Sequence, residues 1–358
     1  MPSRPPQPPD VACPVEPHDT SAVAAAITLA YGITVRSVRR LAAGHGTTNY
    51  TALGPSGPLF VKQYPATADL AQEEAAIALA EDAVTGGVPV PGVLRTLGGR
   101  TVAVVGQRCL SVWEYLPGRT GDMSCAVRSR AAGNMLSRIH ARFAEHPVLG
   151  TSSRLIRTWA GTGPDAVRER ITRLLDMIAA RPEHDDFDRR TMAILRERLA
   201  LAHRLPALVH GLPPLTSQVI HGDYSVPNLV FRDDRLVAVL DFRPPNPFYS
   251  SYEIGRIALS PANVARHSNW SAIATELVSA YAGAHPAPRA DDIVYSARVW
   301  LIHLLGSLYG ARQHYGRAGP LQDQLDTFWF QRHRTVEVLL GHLDDIEDAF
   351  RTAVGRAG

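Results

Sequence analysis

Lysine is almost absent from this chain: of 37 Lys and Arg residues only Lys62 is a lysine, leaving 36 arginines. With abundant Ala, Gly and Pro, this bias looks like GC-rich coding rather than structural selection. It makes a compact ammonium something the chain possesses once. Cysteine is scarce as well. Cys13, Cys109 and Cys125 are odd in number and form no Cys-x-x-Cys pair, which speaks against a disulfide framework or a thiolate zinc site and for a reducing, cytoplasmic setting. The 14 histidines include no His-x-x-x-His pair of the kind a helix-borne metal site uses. No apolar run reaches the roughly 18–20 residues that span a bilayer. Acidic Asp10, Glu16 and Asp19 precede the run Ala22 to Ile27, where a secretory signal wants positive charge, so no membrane partner is expected. A net charge of +3 over 358 residues is too small for a nucleic-acid binder driven by phosphate neutralisation.

What is present is globular: 45% of residues are apolar and 20% charged. The length exceeds what one hydrophobic core usually serves, so two lobes are expected. Residues 1–19 carry seven prolines and read as an extended, solvated tail. A helix is predicted from about Thr20 to Tyr31, then strands around Val35–Leu41, Tyr50–Leu53 and Leu59–Lys62, and a helix between Asp69 and Val84 in which Leu70, Ile77 and Val84 recur every seven residues. Val93–Thr96 with Gly98–Val105 reads as a hairpin, and Leu110–Leu116 as a last strand ahead of Pro117-Gly118. Beyond Gly118 the periodicity is helical, except where Gln218–Asp223 enters a loop and Leu229–Phe231 with Leu236–Leu240 forms a second hairpin ending at Asp241. The expected division is thus 20–112, a hinge at 113–118, and 119–358.

A loop, hairpin and loop of this length would bring Asp223, Asn228 and Asp241 to one edge. An Asp and an Asn offering oxygen ligands, with room for water and phosphate, suit Mg²⁺. A second, unliganded Asp could take the proton of an attacking hydroxyl. The plainer alternative is that such residues are turn formers after strands.

The string His221-Gly222-Asp223-x-x-x-x-Asn228, followed thirteen residues later by Asp241-Phe242, resembles the catalytic loop and metal-binding aspartate of the aminoglycoside phosphotransferase and choline kinase group, small-molecule kinases related to protein kinases. The likeness extends over most of residues 31–265. It implies an α+β, bilobal protein-kinase-like fold, with a small antiparallel-sheet lobe carrying one helix over a large helical lobe. In that reading Asp223 accepts or orients the hydroxyl proton, and Asn228 and Asp241 hold Mg²⁺. Lys62 contacts the α- and β-phosphates of ATP or GTP, paired by Glu73 or else Glu74. The loop Gly44-His45-Gly46-Thr47-Thr48-Asn49 covers those phosphates, and backbone groups at about Glu114 and Leu116 meet the adenine edge. Trp113 would fill the pocket behind the base, and His140 and His221 are packing and bracing residues.

Arg243-Pro244-Pro245 stands where relatives place Gly, Glu or Asp after Asp-Phe, which removes a second acidic metal contact. Glu253 stands where they show an aspartate, with a structural hydrogen-bonding role expected. Acceptors are expected against about 151–205 and 266–340. An antibiotic ranks first and a primary metabolite such as choline, ethanolamine, homoserine or a sugar second; a catalytically silent binding protein is the rival from another class. A polycationic acceptor would want acids such as Asp185, Asp186, Asp188, Asp291, Asp292, Asp323 or Asp326. A quaternary ammonium would want aromatics drawn from Trp300, Tyr309, Phe328, Trp329 and Phe330.

Overall fold

The computed structural model describes residues 20–41, 46–121, 123–147, 163–316, 319 and 321–357. The proline-rich tail 1–19, Gly44, and part of the stretch 151–205 fall outside them.

Helix α1 (Thr20–Tyr31) buries Val23, Ala26, Ile27 and Tyr31, the three- and four-residue spacing of one helical face. That face packs on the sheet through Tyr50, Ala52, Val61, Leu110 and Val112. The sheet comprises β1 (Ser37–Arg40), β2 (Thr48–Gly54), β3 (Gly57–Tyr64), β4 (Ala103–Val105) and β5 (Arg108–Glu114), antiparallel in the order β1-β2-β3-β5-β4. One expected hairpin is redrawn: β4 pairs with β5, and Val93 makes only a single bridge to Trp113. The segment around it instead closes a local turn, with Thr96 N–H donating to Arg100 O at 2.8 Å. Short-range alternation marks strand character but does not name the partner strand.

Helix α2 (Leu70–Thr85) starts where the Asp69 side chain accepts from the N–H groups of Ala71 and Gln72. It lies between two cores. Ile77 packs with Tyr64 and Val102 beneath the sheet. Leu79, Ala80 and Ala83, on the adjoining face, join the larger helical core.

That larger part contains α3 (Ala126–Phe143), α4 (Pro164–Ala179), α5 (Asp186–Leu201), α6 (Leu205–His210), α7 (Ser250–Ala258), α8 (Pro261–Arg266), α9 (Trp270–Ala284), α10 (Ala290–Val294), α11 (Ser296–Gly306), α12 (Ala311–Gly316) and α13 (Gln322–Ala357), the last kinked at His342. Helices α3 and α9 approach closely at Gly133, where a Cβ would sit 2.2 Å from Leu277 O. Three short strand pairs frame the loops of interest. β8 (Leu229–Arg232) and β9 (Arg235–Val239) form the expected hairpin, turning through Asp233 and Asp234 at φ 49° and 61°. β6 (Arg119–Thr120) pairs with β8, and β7 (Ser217–Val219) with β10 (Pro247–Tyr249). Among the described residues no helix is long and apolar enough to cross a membrane.

Candidate active site

The loop after β7 is held by one buried carboxylate. Glu253, at 0% exposure on α7, accepts from the backbone N–H of His221 (3.0 Å), Gly222 (2.7 Å) and Tyr224 (3.4 Å), and lies 3.2 Å from His140 Nε2. Burial alone would raise its pKa; the hydrogen bond to His140, the His221 ring beside it and the Gly222 N–H outweigh this and hold it below the usual carboxylate range. The expected structural role of Glu253 is therefore this one. Gly222 has φ +85°, and a Cβ there would meet Arg243 Cβ at 2.6 Å, so only glycine fits. His221 braces the turn by accepting from Asp223 N–H at Nδ1 (3.1 Å), while its ring lies 4.2 Å from that of Phe242.

Asn228 donates from Nδ2 to Asp223 O at 2.9 Å, and its own carbonyl accepts from Leu240 N–H at 2.9 Å. These bonds lock the 221–228 loop to the end of β9. The residue that follows Leu240 is Asp241, in the left-handed region at φ +59°, which turns its carboxylate out of the strand direction. Across the cleft Lys62 Nζ lies 2.8 Å from Asp241 Oδ1. Desolvation pushes the Asp241 pKa up, but Lys62, then Arg243 and His221, bring it below its ordinary value. The loop after Ile220, the end of β9 and the lone lysine thus share one crevice.

Register places Asn49 of β2 and Ser111 of β5 opposite Lys62 on either side of β3. Thr47 Oγ1 donates to Asn49 Oδ1 at 3.2 Å, and Gly46 adopts φ +82° in an exposed turn. Of the two helix α2 glutamates, Glu74 is taken by Arg100 in a two-bonded pair at 3.0 and 3.1 Å. Glu73 and Asp241 both reinforce the burial that raises the Tyr64 pKa, and Lys62 Nζ stands 5.8 Å from the Tyr64 ring centroid. Among the described residues the ion pair of Lys62 is nonetheless with Asp241. Glu114 N–H is committed to Gly92 O at 2.8 Å, whereas the Leu116 N–H, two residues on, makes no backbone bond with a described residue. Trp113 donates from Nε1 to Ser111 Oγ at 2.8 Å and packs with Tyr64, Ile77 and Val102.

Asp223 carries a feature that motif spacing did not announce. Its two carboxylate oxygens are engaged by different arginines: Arg256 of α7 bonds Oδ1, and Arg243 Nη2 lies 3.2 Å from Oδ2. Arg256 is one helical turn beyond Glu253, the i,i+3 spacing that places two side chains on one face. That relation was available in the sequence once Glu253 was assigned to the loop. Beside Asp223 opens a cavity of about 660 Å³, bordered by Gly222, Arg243, Phe248, Tyr252, His303 and Tyr309 among others. None of the acids offered as a cationic rim lines it. Asp185 and Asp188 form a helix capping box, Asp292 accepts from Thr216 N–H, and Asp326 pairs with His314. Trp300 and Trp329 are core residues at 1% and 0% exposure; of the aromatics named, Tyr309 lines the cavity.

The residues present fit a small hard cation. The Asn228 amide nitrogen is already used, which leaves its oxygen as the donor, and Asp241 engages Lys62 through Oδ1, leaving Oδ2. Two oxygen donors at the base of one hairpin, with open space for water and phosphate, are the sparse protein ligation that Mg²⁺ accepts.

The buried histidines make stability fall with acid. Burial lowers the pKa of His221 against the pull of Glu253, Asp223 and Asp241, and lowers that of His303 together with Arg332 and Arg256. Unfolded histidine titrates near about 6.5 and takes its proton first, so the unfolded state gains as pH drops below that value. Glu253 adds a second loss as pH falls through its depressed folded pKa, below about 4.3. Thermal melts should show the midpoint falling steadily from about pH 7 to pH 5; a flat or rising midpoint would contradict neutral burial of these rings.

Three solved structures share the fold at low identity. A spectinomycin phosphotransferase in complex with ADP and spectinomycin aligns with a TM-score of 0.65 and 11% identity, covering 91% of this chain and 98% of that one. An amicoumacin kinase in complex with AMP-PNP, Ca²⁺ and Ami gives 0.61 and 12%, covering 88% and 93%. An aminoglycoside phosphotransferase from Alicyclobacillus acidocaldarius gives 0.62 and 14%, covering 97% and 98%. They establish the bilobal kinase-like α+β fold. No curated protein matches the chain in sequence. Residues 37–290 match the model of the phosphotransferase enzyme family, APH. That span runs from β1 to the start of α10 and holds both sides of the crevice, so the chain belongs to the phosphotransferase enzyme family and is a small-molecule kinase.

Proposed function

We propose that this enzyme moves the γ-phosphoryl group of ATP or GTP to a hydroxyl of a small molecule, with Mg²⁺ present, and that the acceptor is of the antibiotic or natural-product kind. The observation that carries the reading is the 2.8 Å approach of Lys62 to Asp241, together with a cavity of about 660 Å³ lined by Gly222 and Arg243 on either side of that carboxylate in the chain. Asp223 orients the hydroxyl and accepts its proton. Lys62 neutralises the phosphates, with Glu73 reinforcing the lysine's charge from α2. Asn228 and Asp241 hold the cation, which when bound screens the phosphate charge. The loop through Gly44, Gly46, Thr47 and Asn49 covers the triphosphate, and residues 113–118 are the hinge, where Glu114 O and Leu116 N–H meet the base. Catalysis of this type is positioning and charge neutralisation.

The test is a mass-shift screen of hydroxylated antibiotics and amino alcohols, with each nucleotide and with and without Mg²⁺. Nucleotide binding without transfer to any acceptor would favour a silent binding protein. Lys62→Ala should lower kcat/KM for the nucleotide by about 10- to 100-fold, the loss of one hydrogen bond to a charged group. An unchanged value would remove Lys62 from the phosphate site.

A further inference from the structure

The cavity beside Asp223 has a one-sided charge. Its twenty lining residues include Arg170, Arg243 and Arg312 and no Asp or Glu, although the chain has 34 acids for 37 bases. A composition rich in arginine explains why the bases are not lysine; it does not explain the missing acids. Arg243 is turned toward Asp223, but the other two make no ion pair among the described residues. Arg170 of α4 has only a 3.4 Å contact to Gly306 O, and among the described residues neither it nor Arg312 has an ion pair within the cavity or elsewhere. They stand near enough that, after burial and Arg173, the Arg312 charge helps lower the Arg170 pKa, against a smaller opposing pull from Glu169. Arginines gathered on a cavity wall that itself carries no acid favour an anion there. Behind the wall of His303, Tyr252 and Tyr309, Arg332 is buried at 4% exposure with Nε and Nη2 lacking partners, adding positive potential from the same side. The remaining wall is aromatic and apolar, through Phe248, Tyr252, Ile302, Leu308 and Tyr309.

We propose that the acceptor is a hydroxylated small molecule bearing a carboxylate, held by Arg170 and Arg312 while its hydroxyl meets Asp223, rather than a polycation. The proposal rests on the phosphotransfer reading of the same site. Planar guanidinium forks match a carboxylate in two bonds, and the aromatic wall suits the apolar face of a ring.

Three phenyl glycosides with one ring scaffold and different charge provide the test: phenyl β-D-glucuronide, phenyl β-D-glucoside and phenyl β-D-glucosaminide. Each is titrated calorimetrically into the full-length protein loaded with Mg·ADP, and each is assayed for phosphate gain with Mg·ATP. The glucuronide should bind at least about ten-fold more tightly than the glucoside, with the glucosaminide weakest. Arg170→Gln and Arg312→Gln should each shrink that ratio toward one. Arg130→Gln, on α3 and away from the cavity wall, where Arg130 pairs with Glu276, should leave it intact. Equal or cation-preferring binding, binding of none of the three, or an Arg130→Gln variant that erases the preference as fully as the cavity variants, overturns the carboxylate site. Selective glucuronide binding with no phosphate transferred to any acceptor keeps the site and sinks phosphotransfer. Transfer to the glucosaminide alone does the reverse.

Discussion

Asp223→Asn is expected to lower kcat by about 10³-fold, the middle of the range that a positioned proton acceptor contributes, while the dissociation constant of the nucleotide changes by less than about three-fold. The asymmetry follows from the contacts. The Asp223 side chain bonds Arg256 and Arg243, whereas Asn228 reaches its backbone oxygen and Lys62 reaches Asp241. An amide of the same size leaves the backbone bond and the lysine pair in place. It removes the negative charge between two guanidiniums and the atom that could receive a proton. Single-turnover rates and nucleotide titration on the same preparation separate the two effects. A parallel loss of nucleotide affinity would move Asp223 out of the acceptor side and into the phosphate side.

Glu253→Ala should cost about 3–5 kcal/mol of folding stability, because removing one partner of a buried charged network strands the others. Three backbone N–H groups and the His140 ring converge on this carboxylate at 0% exposure. Denaturant melts should rank wild type most stable, Glu253→Gln next and Glu253→Ala least, since the glutamine amide oxygen can still accept while the charge is gone. A loss under about 1 kcal/mol for alanine would mean the loop finds other partners. Activity should fall more than stability predicts, because His221, Gly222 and Tyr224 bracket Asp223 in sequence.

The two predictions differ in how far the sequence foretold them. His221, Gly222, Asp223 and Asn228 lie within eight residues and Asp241 one hairpin beyond, so the spacing could be seen without knowing any long-range contact. Lys62 stood out because the chain has no other lysine. The long helices were legible for the same local reason, from apolar residues recurring on one face. Glu253 could be assigned a structural task by its place after the motif, but not the three N–H groups it serves. Where the reading went astray it concerned partners rather than propensities. Val93–Thr96 has strand-like residues, yet β4 pairs with β5, and the two- and three-residue strands β6, β7 and β10 carry too few residues to show any period.

Sequence alone therefore determined the phosphotransferase motif, the helical periodicity and the identity of the single ammonium, because each is written in residue types at short separation. Tertiary structure alone decided that Arg256 and Arg243 grip Asp223 from opposite oxygens. It also decided that Lys62 faces Asp241 from 179 residues away and that the cavity beside Asp223 collects three arginines and no acid. Those facts depend on which distant helices meet after the core has formed. A side chain's own residue type says what charge it brings, and only packing says what that charge will face.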